Sequence, residues 1–105
     1  MLLGYGARTE AVDGEGRTAL HVAAGAGDAV MVGILLEHGA DTEARDGRGC
    51  TPLLVASERG YGHVVRLLLE AGADVGAEGG IYGTAMQAAV YLGDQDMLQM
   101  LGKAL

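Results

Sequence analysis

The sequence predicts an all-α fold, a solenoid of stacked helix-turn-helix units joined by β-turn fingers, and three observations carry that reading. The first is a repeat. Asp13 to Arg45 laid over Asp46 to Glu78 agrees at 16 of 33 positions without a gap, far more than unrelated segments of this composition would share. The second is the supply of core side chains: half of the residues are apolar, mostly Ala, Leu and Val, with no Trp or Phe, which suits helices packed closely on helices. The third is punctuation, with Asp, Gly and Thr recurring at fixed places in each period.

Each period opens on a tight turn. Asp13 and Asp46, beside Gly14, Gly16, Gly47 and Gly49, provide the permissive backbone it needs. Thr18, Thr51 and Thr84 then precede short apolar runs, where a hydroxyl caps the exposed N–H groups of a helix start, and Pro52 suits a first helical position. That helix is expected to stop at Gly27, Gly60 and Gly93. The stripes Val32-Ile34-Leu35-Leu36 and Val64-Val65-Leu67-Leu68 make a second helix, stopped by Gly39 and Gly72. Helices are expected over 18–26, 28–38, 51–59, 61–71, 84–92 and 94–103. Leu20, Ala23, Leu35, Leu36, Leu53, Ala56, Val65, Leu68, Ala89 and Leu101 fall on the inward stripes. Two such helices enclose no core alone, so each pair must stack on the next. The chain divides into the end of a truncated repeat (1–12), two full repeats (13–45 and 46–78) and an incomplete one (79–105).

These residues carry a resemblance. Gly49-Cys50-Thr51-Pro52-Leu53-Leu54-Val55-Ala56, followed by Gly60, Val64-Val65, Leu67-Leu68-Leu69 and Gly72-Ala73-Asp74-Val75, is similar to the ankyrin repeat. So are Thr18-Ala19-Leu20-His21-Val22-Ala23-Ala24 and Gly39-Ala40-Asp41. The stretch Gly79 to Ala89 departs from the usual turn and resembles a variant common in large fungal ankyrin arrays, where such repeats often follow nucleotide-binding modules. In the family a His in the Thr-Pro-Leu-His tetrapeptide ties neighbouring turns together. His21 matches it, whereas Leu54 and Gln87 do not, so those two junctions are expected to be looser. Met1-Leu2-Leu3 reads as the stump of a helix and Met97, Leu98, Met100 and Leu101 as a stripe wanting a neighbour, so the chain is expected to be an excerpt from a longer array.

Composition excludes several classes of function. Seven Lys and Arg against 14 Asp and Glu give a net charge of −7, and the cations form no run, which argues against binding nucleic acid by phosphate neutralisation. No apolar stretch approaches the roughly 20 residues of a membrane span. The start of the chain has no secretory pattern, and Cys50 alone makes no internal disulfide, so an intracellular, cytoplasmic setting is expected. Ser57 falls where the repeat usually has Ala, a small packed residue and no nucleophile. Cys50 lies in a finger and is expected to be exposed. His21, His38 and His63 have no metal-ligand spacing. Asp41-Thr42-Glu43 and Asp13-Gly14-Glu15 fail as calcium loops because Arg45 and Arg17 hold the fifth positions. Neither an enzyme, a cofactor nor a metal site is expected.

What remains is surface. The resemblance implies a partner protein bound against the finger turns and first helices, at Glu15, Arg17, Arg45, Arg48, Cys50, Glu58, Arg59, Glu78, Ile81, Tyr82, Tyr91 and Leu92. Arg17, Arg45, Arg48 and Arg59 would gather there on an otherwise acidic protein and orient an acidic segment. The competing reading is that Arg45 and Arg48 pair with Glu43, Asp46 and Glu78 across adjacent fingers. The second functional reading is self-association through uncapped ends, or a structural segment of a larger protein such as a nucleotide-binding receptor.

Overall fold

Threonine decides where each helix pair begins. The Thr18, Thr51 and Thr84 hydroxyls accept the N–H groups of His21, Leu54 and Gln87, satisfying donors that the first helical turn leaves open. The computed structural model describes residues 12–104, and among these there are six helices: α1 (Ala19–Ala26), α2 (Ala29–Glu37), α3 (Pro52–Arg59), α4 (Gly62–Glu70), α5 (Ala85–Leu92) and α6 (Gln95–Lys103). Every expected helix is present, shorter by a residue at most of its ends. The tail of a preceding repeat expected over 1–12 lies, apart from Val12, outside the described residues.

Gly27, Gly60 and Gly93 end α1, α3 and α5 in the left-handed conformation, and Gly39 and Gly72, with φ of 80° and 89° after α2 and α4, do so as expected. Asp28 and Asp94 cap α2 and α6, while α4 starts at Tyr61 without a side-chain cap. Helices α1, α3 and α5 stack in one row and α2, α4 and α6 in a second, each pair meeting only its neighbours. The stack measures 40 × 23 × 20 Å.

The core runs between the rows as one continuous cluster of Leu20, Val32, Leu35, Leu53, Leu54, Val64, Val65, Leu68, Met97 and Leu101 with small alanines between them. Nine of the ten residues expected inside are buried. Leu36 is half-buried against the edge of the core. Met100, expected near the open end of the array, turns the other way: its Cε lies 3.7 Å from where a Cβ on Gly62 would stand, so it faces α4. No helix of the described residues is long and apolar enough to cross a membrane.

Two of the three fingers are built alike. Asp13 Oδ1 accepts the N–H groups of Glu15 and Arg17 at 2.8 and 3.0 Å, and Asp46 Oδ1 accepts those of Arg48 and Cys50, both at 2.9 Å. These backbone donors hold the Asp13 carboxyl below the usual carboxylate range. The third finger has Gly79 in the Asp position and closes through the Gly79 N–H to the Gly83 carbonyl, 2.7 Å. A Cβ at 79 would run into the Gly49 carbonyl, so the third finger can press onto the second only because Asp is replaced.

Candidate functional site

The fingers and the first helices of the pairs enclose a cleft of about 640 Å³, between α1 and α3. It exists because Gly25 stands where the next two repeats carry Glu58 and Tyr91. A Cβ on Gly25 would lie 3.2 Å from Val55 Cγ1 and 3.9 Å from Arg59 Nε, so any side chain there would fill the space. Arg17, Arg48 and Arg59 line the walls, with Glu15 and Asp46 as the acidic members and Val22, Ala26 and Val55 as the floor. Three cations thus meet two carboxylates in one hollow of a protein of charge −7.

The guanidinium groups are held differently. Arg17 Nε lies 2.8 Å from Asp13 Oδ2 and 3.3 Å from Glu15 Oε2, and all three side chains are well exposed. Arg48 Nη2 lies 3.3 Å from Glu58 Oε1. Arg59 has no ion pair among the described residues. The fourth Arg of the expected cluster does not join the cleft. Arg45 Nη1 donates to the carbonyls of Gly49 and Glu78, at 2.7 and 2.6 Å. It ties finger two to finger three through backbone oxygens, and not through the Glu78 carboxylate.

Cys50 requires a correction. Expected on the partner-facing surface, it is fully buried, because finger three folds down over it and Gly80 lies so close that a Cβ there would meet its sulfur. Burial, followed by the Glu58 carboxylate, pushes the thiol from 9.0 up to about 11. Its neighbour Glu58, also expected to face a partner, leaves only 9% of its side chain exposed. Its Oε2 accepts the Ile81 N–H at 3.1 Å and lies 3.9 Å from Cys50 Sγ. Glu58 therefore supports the finger surface from beneath. Ser57 is buried as expected, and its hydroxyl is without a hydrogen-bond partner among the described residues.

A second feature of this face lies on the third repeat. Ile81, Tyr91 and Leu92 are exposed, and Tyr82 stacks on Tyr91 with ring centroids 4.8 Å apart and planes inclined by 31°. Leu92 reaches back toward Gly60 at the end of α3 and does not point away from the array. Glu78 is exposed next to this patch, its carbonyl engaged by Arg45. Gly25, the residue that opens the cleft, was not foreseen, although comparison with Glu58 and Tyr91 in register marks it as a missing side chain.

The family model for ankyrin repeats, in three copies, matches residues 1–79. The match ends at the position where the third finger exchanges Asp for Gly. No curated protein matches the chain.

Proposed function

The chain belongs to the ankyrin repeat family, whose repeats serve as protein–protein interaction modules, and on that premise we propose that it is a non-catalytic scaffold that binds a partner protein through its fingers and first helices. The observation that carries this reading is the cleft: Arg17, Arg48 and Arg59 converge on a hollow that Gly25 keeps open. Arg59 has no ion pair to give up among the described residues, and the exposed pairs of Arg17 are of the weak, exchangeable kind. An acidic segment is the partner this field favours. The Tyr82–Tyr91 stack with Ile81 supplies an apolar anchor of the type that carries binding energy.

Domain organisation belongs to the same proposal: a repeat end over 1–12, repeats at 13–45 and 46–78, and an incomplete repeat over 79–105, acting in the cytoplasm without nucleic acid, membrane or cofactor. The test is affinity capture from the source cells with wild type, Arg59→Glu and Tyr91→Ala. A protein retained by wild type and lost by both variants, with unchanged helical circular dichroism, supports the reading. Equal retention by all three refutes it.

A further inference from the structure

Register comparison sets the cleft beside an occupied version of itself. In the second repeat the place of Gly25 is taken by Glu58, whose side chain is only 9% exposed, whose Oε1 lies 3.3 Å from Arg48 Nη2 and whose Oε2 accepts the Ile81 N–H at 3.1 Å. One junction holds a carboxylate where the other holds a hollow. That hollow lies between two described helix pairs and their fingers, and its apolar floor includes Ala26 and the 6% exposed Val55.

The polar groups around the hollow decide what fits it. Arg17 is flanked by Asp13 and Glu15, and Arg48 by Glu58. The Arg48 N–H, in register with the Ile81 N–H that Glu58 takes, already donates to Asp46 Oδ1 at 2.9 Å. His21, in the wall, has both ring nitrogens engaged, one with the Thr18 N–H and one with the Cys50 carbonyl. Arg59 is different. It is exposed, it has no ion pair among the described residues, and its Nε lies 3.9 Å from where a Cβ on Gly25 would stand. The hollow thus joins one uncompensated guanidinium to an apolar floor, and its complement is one negative charge on an aliphatic stem. A run of acidic residues would bring more charge than Arg59 matches and would meet Glu15 and Asp46 on the walls.

We propose that this hollow is a specificity pocket for one glutamate side chain in an extended, otherwise uncharged segment of a partner protein, its carboxylate on Arg59 and its methylenes on Ala26 and Val55. The partner then supplies to the first junction what Glu58 supplies to the second, and glutamate is chosen over aspartate because the array's own occupant has that length. A guanidinium and a carboxylate meeting in a partly dry hollow make one of the stronger and more directional polar contacts. The pocket rests on the reading that the finger face binds a partner; it adds which residue of the partner enters, and that the missing side chain at Gly25 admits it.

The test uses the intact chain and a phage-displayed library of random peptides. Wild type should select peptides that share one glutamate among uncharged neighbours. With a selected peptide made synthetically, Arg59→Gln should weaken binding about tenfold, the effect of losing one charge-assisted hydrogen bond. Changing the peptide's glutamate to glutamine should do the same, and the two changes together should weaken it no more than either alone. Gly25→Glu places the protein's own carboxylate in the hollow, as the second repeat does, and should abolish binding with unchanged circular dichroism; if that variant unfolds, the Arg59 cycle decides, since Arg59 is exposed. A selection that yields no binder or no shared glutamate, losses that simply add, or a folded Gly25→Glu that still binds overturns the pocket. Partner capture lost with Arg59→Glu and Tyr91→Ala would in those cases keep the finger-face reading, whereas equal capture by wild type and both variants refutes that reading itself.

Discussion

The two junctions of the array stack the same helices in different ways. Between α1 and α3 the lock is buried and neutral: His21 spans from the Thr18 N–H to the Cys50 carbonyl, and the Gly47 N–H donates to the Glu15 carbonyl at 2.9 Å. Between α3 and α5 that histidine is Leu54, which packs but offers no hydrogen bond. No bond from the Thr51 N–H is found among the described residues. Charged side chains take over at the rim. Arg45 reaches the Glu78 carbonyl and Glu58 accepts the Ile81 N–H. A buried histidine fixes register with groups that water and salt do not reach, whereas the exposed Arg45 works in a screened medium and the nearly buried Glu58 is screened only in part. The first junction is therefore expected to be the stiffer of the two.

The comparison breaks most directly at His21. His21→Leu gives the first junction the residue of the second, conserving volume but stranding the Thr18 N–H in a buried site, while the Cys50 carbonyl keeps the Asp46 N–H and loses its bond across the junction. A stranded buried group costs about 1–3 kcal/mol, so a loss of roughly 2 kcal/mol in urea unfolding is expected, with the slope unchanged. A loss no larger than that of a surface substitution would mean that the histidine is not the lock.

Cys50 sits between the junctions, its carbonyl in the first and its sulfur beneath the second, and its reactivity reports their closure. With the thiol raised from 9.0 to about 11 by burial, the thiolate fraction at pH 8 is about a hundredfold lower than in the unfolded chain. A thiol reagent should label the folded protein at least that much more slowly. Because the folded value is the higher one, Cys50 weakens the fold only as pH rises from about 9 toward 11 and costs nothing below that range.

The period made the helices legible. Thr before each apolar run and Gly after it fixed the starts and stops within about a residue, because capping and left-handed termination are local chemistry. The residues that cross between repeats were not legible in the same way. Cys50 read as an exposed finger residue because nothing local says that the next finger will cover it, and Glu58 read as partner-facing because its acceptor role depends on the Ile81 N–H, 23 residues on. Arg45, read as facing a partner or, in the competing reading, as paired with carboxylates, donates to carbonyls instead. Of the candidate site, Glu15, Arg17, Arg48 and Arg59, which the resemblance assigns to the finger face, line the cleft. Gly25 was overlooked because an absent side chain carries no signal until its equivalents are set beside it.

Glu58 sharpens the contrast from the other side. Glu58→Gln retains an oxygen for the Ile81 N–H but loses the charge that strengthens this bond and pairs with Arg48, a change expected to cost about 1 kcal/mol. The loss should concentrate in the second junction. Amide exchange at Ile81 should quicken while exchange at the helix residues of α1 stays as in wild type, and added salt should reproduce part of the effect in the unmodified chain. Equal quickening in both places would mean that the two junctions open as one unit.

Ser57 is the smallest lever and separates the junctions at a single atom. It faces α5 at the position where Ala24 faces α3, and its buried hydroxyl has no hydrogen-bond partner among the described residues. Ser57→Ala makes the second junction like the first at this point, removing an unsatisfied polar group at the cost of one heavy atom of packing. The hydroxyl penalty of about 1 kcal/mol or more exceeds the contacts of a single oxygen atom, and Ala is the better helix former by up to about 0.5 kcal/mol. A rise in stability of up to about 1 kcal/mol is expected, read as a higher midpoint in thermal unfolding. A fall would show that the hydroxyl does find a partner when the second junction is closed, and that α3 and α5 are joined by more than packing and rim charges.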